Sequence, residues 1–167
     1  KVADRLAIDP HFVLDQGHRQ QAGIGAELFH QHRRAAVDEA FGQAGWHVVI
    51  HYGHSQGDAQ ALAAKLPSAE TMQCDLRDGA AASAMIASLA ERLEDWRVLV
   101  NCAGVFDEDT ASALGPETFE AAMLVNAATP ALMAQAFLRL ARANGGRRVI
   151  QVTDQKLLNP NPDFFSY

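Results

Sequence analysis

Several features that would place the chain in other classes of protein are scarce in its sequence. The net charge is −6 and no basic run occurs, so nothing indicates a surface for nucleic acid or anionic lipid. No run of about 18 consecutive apolar residues is evident, as a membrane-spanning helix would need. The first residues also lack the apolar core of a signal peptide. These absences predict a cytoplasmic protein with no nucleic-acid or membrane partner.

Cysteine is scarce as well, since Cys74 and Cys102 are the only two. Each stands at the end of an apolar, strand-like run, which predicts buried free thiols rather than a disulfide. Free thiols fit a reducing compartment. Motifs of other enzyme classes are missing too: there is no Gly-x-Ser-x-Gly elbow and no phosphate-loop lysine. The pairs His30/His32 and His47/His51 lack a third ligand at a recognisable spacing, so we predict no metal site.

What the sequence does contain, from Gly45 onward, is an alternation of short β-rich runs and longer helical patterns. This alternation predicts right-handed βαβ units and an α/β fold with a doubly wound parallel sheet, in a single domain over 1–167. The predicted strands are Trp46–Tyr52, a short run reaching Asp75, Arg97–Cys102 and Arg148–Thr153, and the predicted helices cover about 57–66, 78–93 and 116–144.

The first 35 residues match this pattern poorly. Phe12-Val13-Leu14 is too short for a convincing strand and is flanked by His11 and Asp15. Residues 16–34 are crowded with glutamine, histidine and arginine, and their hydrophobic pattern is weak.

Ligands of a doubly wound sheet bind at the carboxyl ends of its strands. The run from Trp46 ends in Tyr52, Gly53, His54 and Ser55, without the acid that often binds the ribose 2′-hydroxyl of NAD. His54 and Ser55 can donate hydrogen bonds to a 2′-phosphate, which favours NADP. A polar loop without a ligand explains these residues equally well.

Two further strand ends carry candidate ligand-binding residues. Asp75 can accept a hydrogen bond from an adenine amino group, with Leu76 beside it, although an aspartate that caps a helix or turn is a common alternative. The next strand ends in Asn101, Cys102, Ala103 and Gly104. Here the small residues allow a cofactor to approach the backbone closely, and Asn101 can bridge neighbouring strand ends.

These motifs together resemble the short-chain dehydrogenases/reductases, over about residues 36–167. The sequence Asn101-Cys102-Ala103-Gly104 is similar to the Asn-Asn-Ala-Gly motif of that family, with Cys102 in place of the second asparagine. The other positions that match are Asp75 (adenine contact), Asn126 (helix asparagine), Thr153-Asp154 (catalytic strand end) and Ser166-Tyr167 (catalytic tyrosine).

Within the family, the chain is most similar to the pteridine and dihydromonapterin reductases. They have an aspartate thirteen residues before the tyrosine, where this chain has Asp154, and a His-Tyr-x-x-Ser pattern like that of residues 51–55. The resemblance implies a Rossmann-type enzyme that transfers hydride from NADPH to a pterin-like C=N or a carbonyl of a small molecule. Tyr167 would donate the proton, and Asp154 would contact the substrate ring. It also implies a homodimer or homotetramer formed through the long helices.

Asn126 has a physical argument of its own. Pro130 has no N–H, so the carbonyl of Asn126 loses its helical partner and the helix kinks. The freed carbonyl can hold a water that feeds protons to the catalytic site, and an ordinary kink is the alternative.

The family pattern breaks at two places. Its glycine loop is expected near 32–34, where the sequence is His-Arg-Arg, whereas Gly23 and Gly25 lie about nine residues too early. Either an insertion has moved a working loop to 17–25, or the loop is lost. The family's catalytic lysine comes four residues after the tyrosine, but the sequence ends at Tyr167. We therefore expect a truncated domain, incomplete at its C-terminus. The alternative to an active reductase is a catalytically incompetent nucleotide-binding fragment or pseudoenzyme.

Overall fold

The computed structural model describes residues 36–153 and 164–167 in full and the backbone of 11–16. Five parallel strands form one sheet in the order β3-β2-β1-β4-β5. The strands are β1 (His11–Gln16), β2 (His47–Tyr52), β3 (Ala69–Gln73), β4 (Trp96–Asn101) and β5 (Arg148–Gln151). This order confirms the doubly wound parallel sheet.

Helices connect the strands. They are α1 (described over 36–43), α2 (Gln56–Ala63), α3 (Gly79–Arg92), α4 (Pro116–Met123), a π-helical turn (Leu124–Ala128) and α5 (Thr129–Leu140). Asp78 caps α3 by accepting hydrogen bonds from the backbone N–H groups of Ala80 and Ala81. Gly45, with φ 85°, turns the chain from α1 into β2 in a conformation that favours glycine.

The sheet separates two hydrophobic clusters. The larger one packs α3 and α5 on one face and contains Ile86, Leu89, Trp96 and Phe137, all fully buried. Trp96 and Phe137 meet edge to face, with their ring centroids 4.7 Å apart. The smaller cluster packs α2 on the other face. Cys74 and Cys102 are buried and do not form a disulfide, as predicted.

The triplet Phe12-Val13-Leu14 does form a strand, and the prediction that it is a poor one was wrong. It lies within β1, at the centre of the sheet, where Val13 pairs with Val49 on one side and with Leu99 on the other. Two flanking strands supply backbone hydrogen bonds along both edges, so tertiary pairing outweighs the weak local pattern.

The last helix ends at Leu140, four residues before the predicted end at Asn144. Ala141 is extended, and the side chain of Arg147 donates to its carbonyl at 3.2 Å. The backbone N–H of Asn144 donates instead to Asp95 Oδ1 at 2.8 Å. These contacts replace the next helical hydrogen bonds and bring the chain back toward β5.

The helix from Pro116 to Leu140 is long and apolar enough to span a membrane by composition alone, which the search for continuous apolar runs missed. Its most apolar 18-residue window has a mean hydropathy of 1.4, with 33% of the window buried. Polar residues such as Asn126 and Thr129 interrupt the apolar run, but the mean hydropathy of the window stays as high as that of a membrane-spanning helix. The helix places Met133 and Phe137 in the larger cluster, as a core helix does.

Candidate functional site

The carboxyl ends of all five parallel strands lie at one edge of the sheet, and the predicted ligand-binding residues follow these ends. Tyr52 ends β2, and Ser55 precedes α2 as its N-cap residue without making a side-chain cap. His54 is exposed between them, and no acid stands at 52–55. The loop therefore leaves the hydroxyl of Ser55 available beside a helix N-terminus, which favours an anionic group.

Asp75 follows β3 and forms an ion pair with Arg77, with 2.6 Å between Oδ2 and Nη2. The backbone N–H of Arg77 also donates to its Oδ1 at 2.9 Å. The hydrogen bonds that its guanidinium donates to the Asp75 carboxylate raise the pKa of Arg77 above its usual value. The sequence analysis missed Arg77, which places a cation against the carboxylate predicted to contact adenine.

Asn101, at the end of β4, is 5% exposed. Its backbone carbonyl accepts from Val152 N–H at 2.9 Å, which extends the pairing of β4 with β5. Its side-chain amide donates to the carbonyl of Pro130 at 3.4 Å. Among the described residues, nothing donates to its buried Oδ1. An unpaired buried acceptor is costly, so a hydrogen-bond donor from a bound group fits this position.

Leu76 anchors the site to the long helix. It is buried, and its carbonyl accepts from the hydroxyl of Thr129 at 2.8 Å. Leu76 and Asn101 thus connect the ends of β3 and β4, which are not adjacent in the sheet, to the first turn of α5.

The π-helical turn Leu124–Ala128 carries Asn126 and occurs where Pro130 lacks the N–H that an α-helix requires. The Asn126 side chain makes two hydrogen bonds to Val105, each 2.8 Å long: Nδ2 donates to its carbonyl, and Oδ1 accepts from its N–H. Sequence reasoning assigned a role to the Asn126 backbone carbonyl, which stays a prediction, and missed this side-chain contact.

Tyr167 lies beside the same loop. Its ring is tilted against that of Phe106, with centroids 5.8 Å apart. A Cβ placed on Gly104 would be 3.4 Å from Asn126 Oδ1 and 4.0 Å from Tyr167 Cε2. Three predicted site residues, Gly104, Asn126 and Tyr167, therefore lie side by side.

Of the remaining candidate site residues, the structure describes one and does not describe three. Ala103 is partly buried beside Gly104 and packs against the larger core cluster. Gly23, Gly25 and Asp154 lie outside the described residues. Of the discounted histidines, His30 and His32 also lie outside the described residues, His47 contacts Ser68 and Glu70, and buried His51 contacts the carbonyl of Cys74.

Sequence reasoning also missed Asp109 and its contact with Ser166. Asp109 is 6% exposed, and its carboxylate accepts from the backbone N–H and the hydroxyl of Ser166. These hydrogen bonds hold the pKa of Asp109 below its usual 3.8, and the bond from the Ser166 hydroxyl has the largest effect. Because the pKa is lowered, the contact is complete at any pH above the usual pKa of an aspartate. It is lost only as the pH falls through the lowered pKa. No sequence signal exists for a pair 57 positions apart.

A family model described as enoyl-(acyl carrier protein) reductase matches residues 35–161. The chain belongs to the short-chain dehydrogenase/reductase family. The match begins where the sequence starts to show the predicted pattern. No curated protein sequence matches the chain significantly.

Solved structures of this reductase family share the fold. FolM alternative dihydrofolate reductase 1 from Brucella suis, in complex with NADP, is 25% identical with a TM-score of 0.75, and the match covers 95% of this chain and 62% of that one. A short-chain dehydrogenase/reductase from Serratia marcescens is 23% identical with a TM-score of 0.76, covering 95% and 61%. A 3-oxoacyl (acyl-carrier-protein) reductase from Agrobacterium tumefaciens with NADP bound is 26% identical with a TM-score of 0.72, covering 95% and 58%.

The chain thus spans about 60% of the length of these relatives. Two of them contain NADP, the cofactor predicted from the strand ends.

Proposed function

We propose that the chain provides the cofactor-binding and proton-donating groups of an NADP(H)-dependent reductase for a pterin-like C=N or a carbonyl of a small molecule. The observation that supports this most is the grouping of Gly104, Asn126 and Tyr167 at the carboxyl end of β4. The likeness to the FolM reductase in complex with NADP favours a pterin-like substrate.

Three strand ends would hold the cofactor. Ser55 and His54 would bind the 2′-phosphate, since no carboxylate there repels it. Asp75 would accept from adenine while paired with Arg77. Asn101 would use its Oδ1, to which no described residue donates, with Ala103 and Gly104 leaving room at the backbone. NADPH, when bound, supplies the hydride.

The protein's own contribution is the proton. The Tyr167 phenol would give its proton to the nitrogen or oxygen of the bond being reduced, and the phenolate is then reprotonated from solvent. Asn126 fixes the loop that supports this ring through Val105. Asp154 would hydrogen-bond a pterin ring, and Gly23 and Gly25 would approach the pyrophosphate. The proposed location is the cytoplasm.

A reductase of this kind is tested by following NADPH oxidation with dihydropteridines and with ketones. We expect turnover, and binding of NADPH about tenfold tighter than NADH, because charge-assisted hydrogen bonds contribute about 1.5–3 kcal/mol. The double substitution His54→Ala/Ser55→Ala should remove the preference, while Gln56→Ala on the adjacent exposed residue should not. Equal binding of NADH, or no binding of either, would contradict the cofactor assignment.

A second candidate function is nucleotide binding without catalysis. It is favoured by the His-Arg-Arg sequence at 32–34, where the family places small residues. Tight NADPH binding without turnover of either substrate class would select it over the reductase.

The proposed homo-oligomer has a candidate surface on α4 and the π-helical turn. An apolar groove of about 570 Å³ is lined by Phe119, Glu120, Met123, Leu124, Ala127 and Ala128. Phe119 and Met123 are large apolar side chains with 43% and 46% of their surface exposed. Such a patch marks an interaction site, and we propose that a second copy of the chain covers it.

Met123→Glu should therefore weaken self-association about a hundredfold, because an unpaired buried charge costs about 3 kcal/mol or more. Sedimentation equilibrium measures the change. Ser88→Glu, on the exposed side of α3, is the control and should leave association unchanged. A monomeric parent chain, or equal effects of the two substitutions, would disprove the assignment.

A further inference from the structure

The segment 164–167 is attached to the loop that follows β4, residues 102–115, and the attachment is centred on Asp109. The backbone N–H of Phe165 donates to the Asp109 carbonyl at 3.3 Å, and Phe164 forms a parallel bridge with Asp109. The two stretches therefore align through their backbones before any side chain is considered.

The Asp109 side chain adds a second set of bonds, all to one residue. Oδ1 and Oδ2 lie 3.0 and 3.2 Å from the Ser166 nitrogen, and the Ser166 hydroxyl donates to Oδ2. Asp109 as a residue is almost fully buried. Hydrogen bonds to an ionised group are about twice as strong as neutral ones, and burial shields them from water.

The residue held in this way immediately precedes Tyr167. The next peptide unit turns back, with the Tyr167 N–H donating to the carbonyl of Phe164 at 3.2 Å. Phe106, from the same loop as Asp109, contacts both aromatic rings, at 6.0 Å from Phe164 and 5.8 Å from Tyr167. The backbone of Ser166 and the ring of Tyr167 are thus fixed by residues three positions apart on a single loop.

The same loop is fixed from its other side. Asn126 holds Val105 through two hydrogen bonds. The loop thereby fixes Tyr167 relative to the π-helical turn, which is anchored in the core through Val125.

We propose that Asp109 is a positioning residue for Tyr167: its carboxylate holds Ser166 and so places the phenol beside Gly104 and Asn126. The proposal rests on the proposed function for the catalytic part of this role. A displacement of about 1 Å at a reacting group can cost about a hundredfold in rate. The contact between Asp109 and Ser166, called the clamp below, lies one residue from Tyr167 and is well suited to control the position of its phenol.

The test follows the Tyr167 environment directly. The chain contains two tyrosines, so incorporation of 3-fluorotyrosine gives two fluorine resonances, which Tyr52→Phe assigns. The variants are Asp109→Ala, Asp109→Asn and Ser166→Ala. Glu108→Gln is the matched control, because it removes one acidic charge from the adjacent, exposed position.

We expect Asp109→Ala to move the Tyr167 resonance toward that of free fluorotyrosine while the Tyr52 resonance stays in place. Asp109→Asn and Ser166→Ala should give intermediate shifts, because each keeps at least one acceptor–donor pair. The control should match the parent. In NADPH oxidation, Asp109→Ala should lower kcat about tenfold to a hundredfold with the KM for NADPH unchanged, and Asp109→Asn should partly rescue kcat.

An unchanged Tyr167 resonance in Asp109→Ala would overturn the proposal. So would an equal shift in Glu108→Gln, or a shift of both tyrosines together, which would indicate general unfolding. If no variant and no parent chain oxidises NADPH but the Tyr167 resonance still depends on Asp109, the clamp stands and the reductase assignment falls. If the parent chain and Asp109→Ala oxidise NADPH equally fast, the reductase assignment stands and the positioning role of Asp109 falls.

Discussion

Replacing Tyr167 with phenylalanine should lower substrate-dependent NADPH oxidation by about 10²- to 10⁴-fold, the usual contribution of a general acid. The substitution removes only the hydroxyl. The ring keeps its position against Phe106, and the Ser166 contact with Asp109 uses no atom of residue 167. The fold and the affinity for NADPH should therefore be unchanged, as circular dichroism and calorimetry can establish.

The control for this substitution is a phenol placed nearby. Phe165 has 55% of its surface exposed, so Phe165→Tyr combined with Tyr167→Phe restores a hydroxyl within two residues without restoring its position. We expect no recovery of rate. A Tyr167→Phe chain that retains its rate within about threefold would show that another group donates the proton.

Phe137→Ala is expected to lower the free energy of unfolding by about 3–5 kcal/mol, the range for removing a buried aromatic ring. Phe137 is fully buried and packs edge to face on Trp96 in the cluster that joins α3 and α5 to the sheet. The neighbouring helices cannot close the space fully, because their own side chains are already packed. Urea unfolding followed by tryptophan fluorescence measures the loss.

Phe165→Ala is the matched control, since the same atoms are removed from an exposed site. Its effect should stay below about 1 kcal/mol. Similar losses at the two positions would mean that the cluster around Phe137 is not the core that stabilises the domain.

Much of the fold could be predicted because most strands are local features of the sequence. Val48, Val49 and Ile50 in β2, and Val98, Leu99 and Val100 in β4, form continuous apolar runs, as strands buried on both faces require. β1 could not be identified in this way. Its three apolar residues become a central strand only because β2 and β4 flank it, and such pairing is invisible to a local pattern.

The residues of the candidate site were likewise predictable only where a local sequence pattern marks them. Asp75, Asn101 and Gly104 were predictable because each lies at or shortly after the end of a predicted strand, and parallel strands bring their carboxyl ends to one edge. Arg77 could have been noticed two residues after Asp75. Asp109 could not, because its partner Ser166 is remote in sequence and Asp109 itself belongs to no pattern. Long-range polar contacts of this kind depend on the path of the loops.

The π-helical turn at Leu124–Ala128 also acts as a correction of helical phase. Val125 and Phe137 are twelve positions apart, which at about 100° per residue would place their side chains about 120° from each other on an uninterrupted α-helix. One extra residue in the turn reduces the offset to about 20°, and both side chains do lie in the same core cluster. Deleting a single residue from this turn would therefore rotate α5 against α4. Either the contact of Asn126 with Val105 or the burial of Phe137 would be lost.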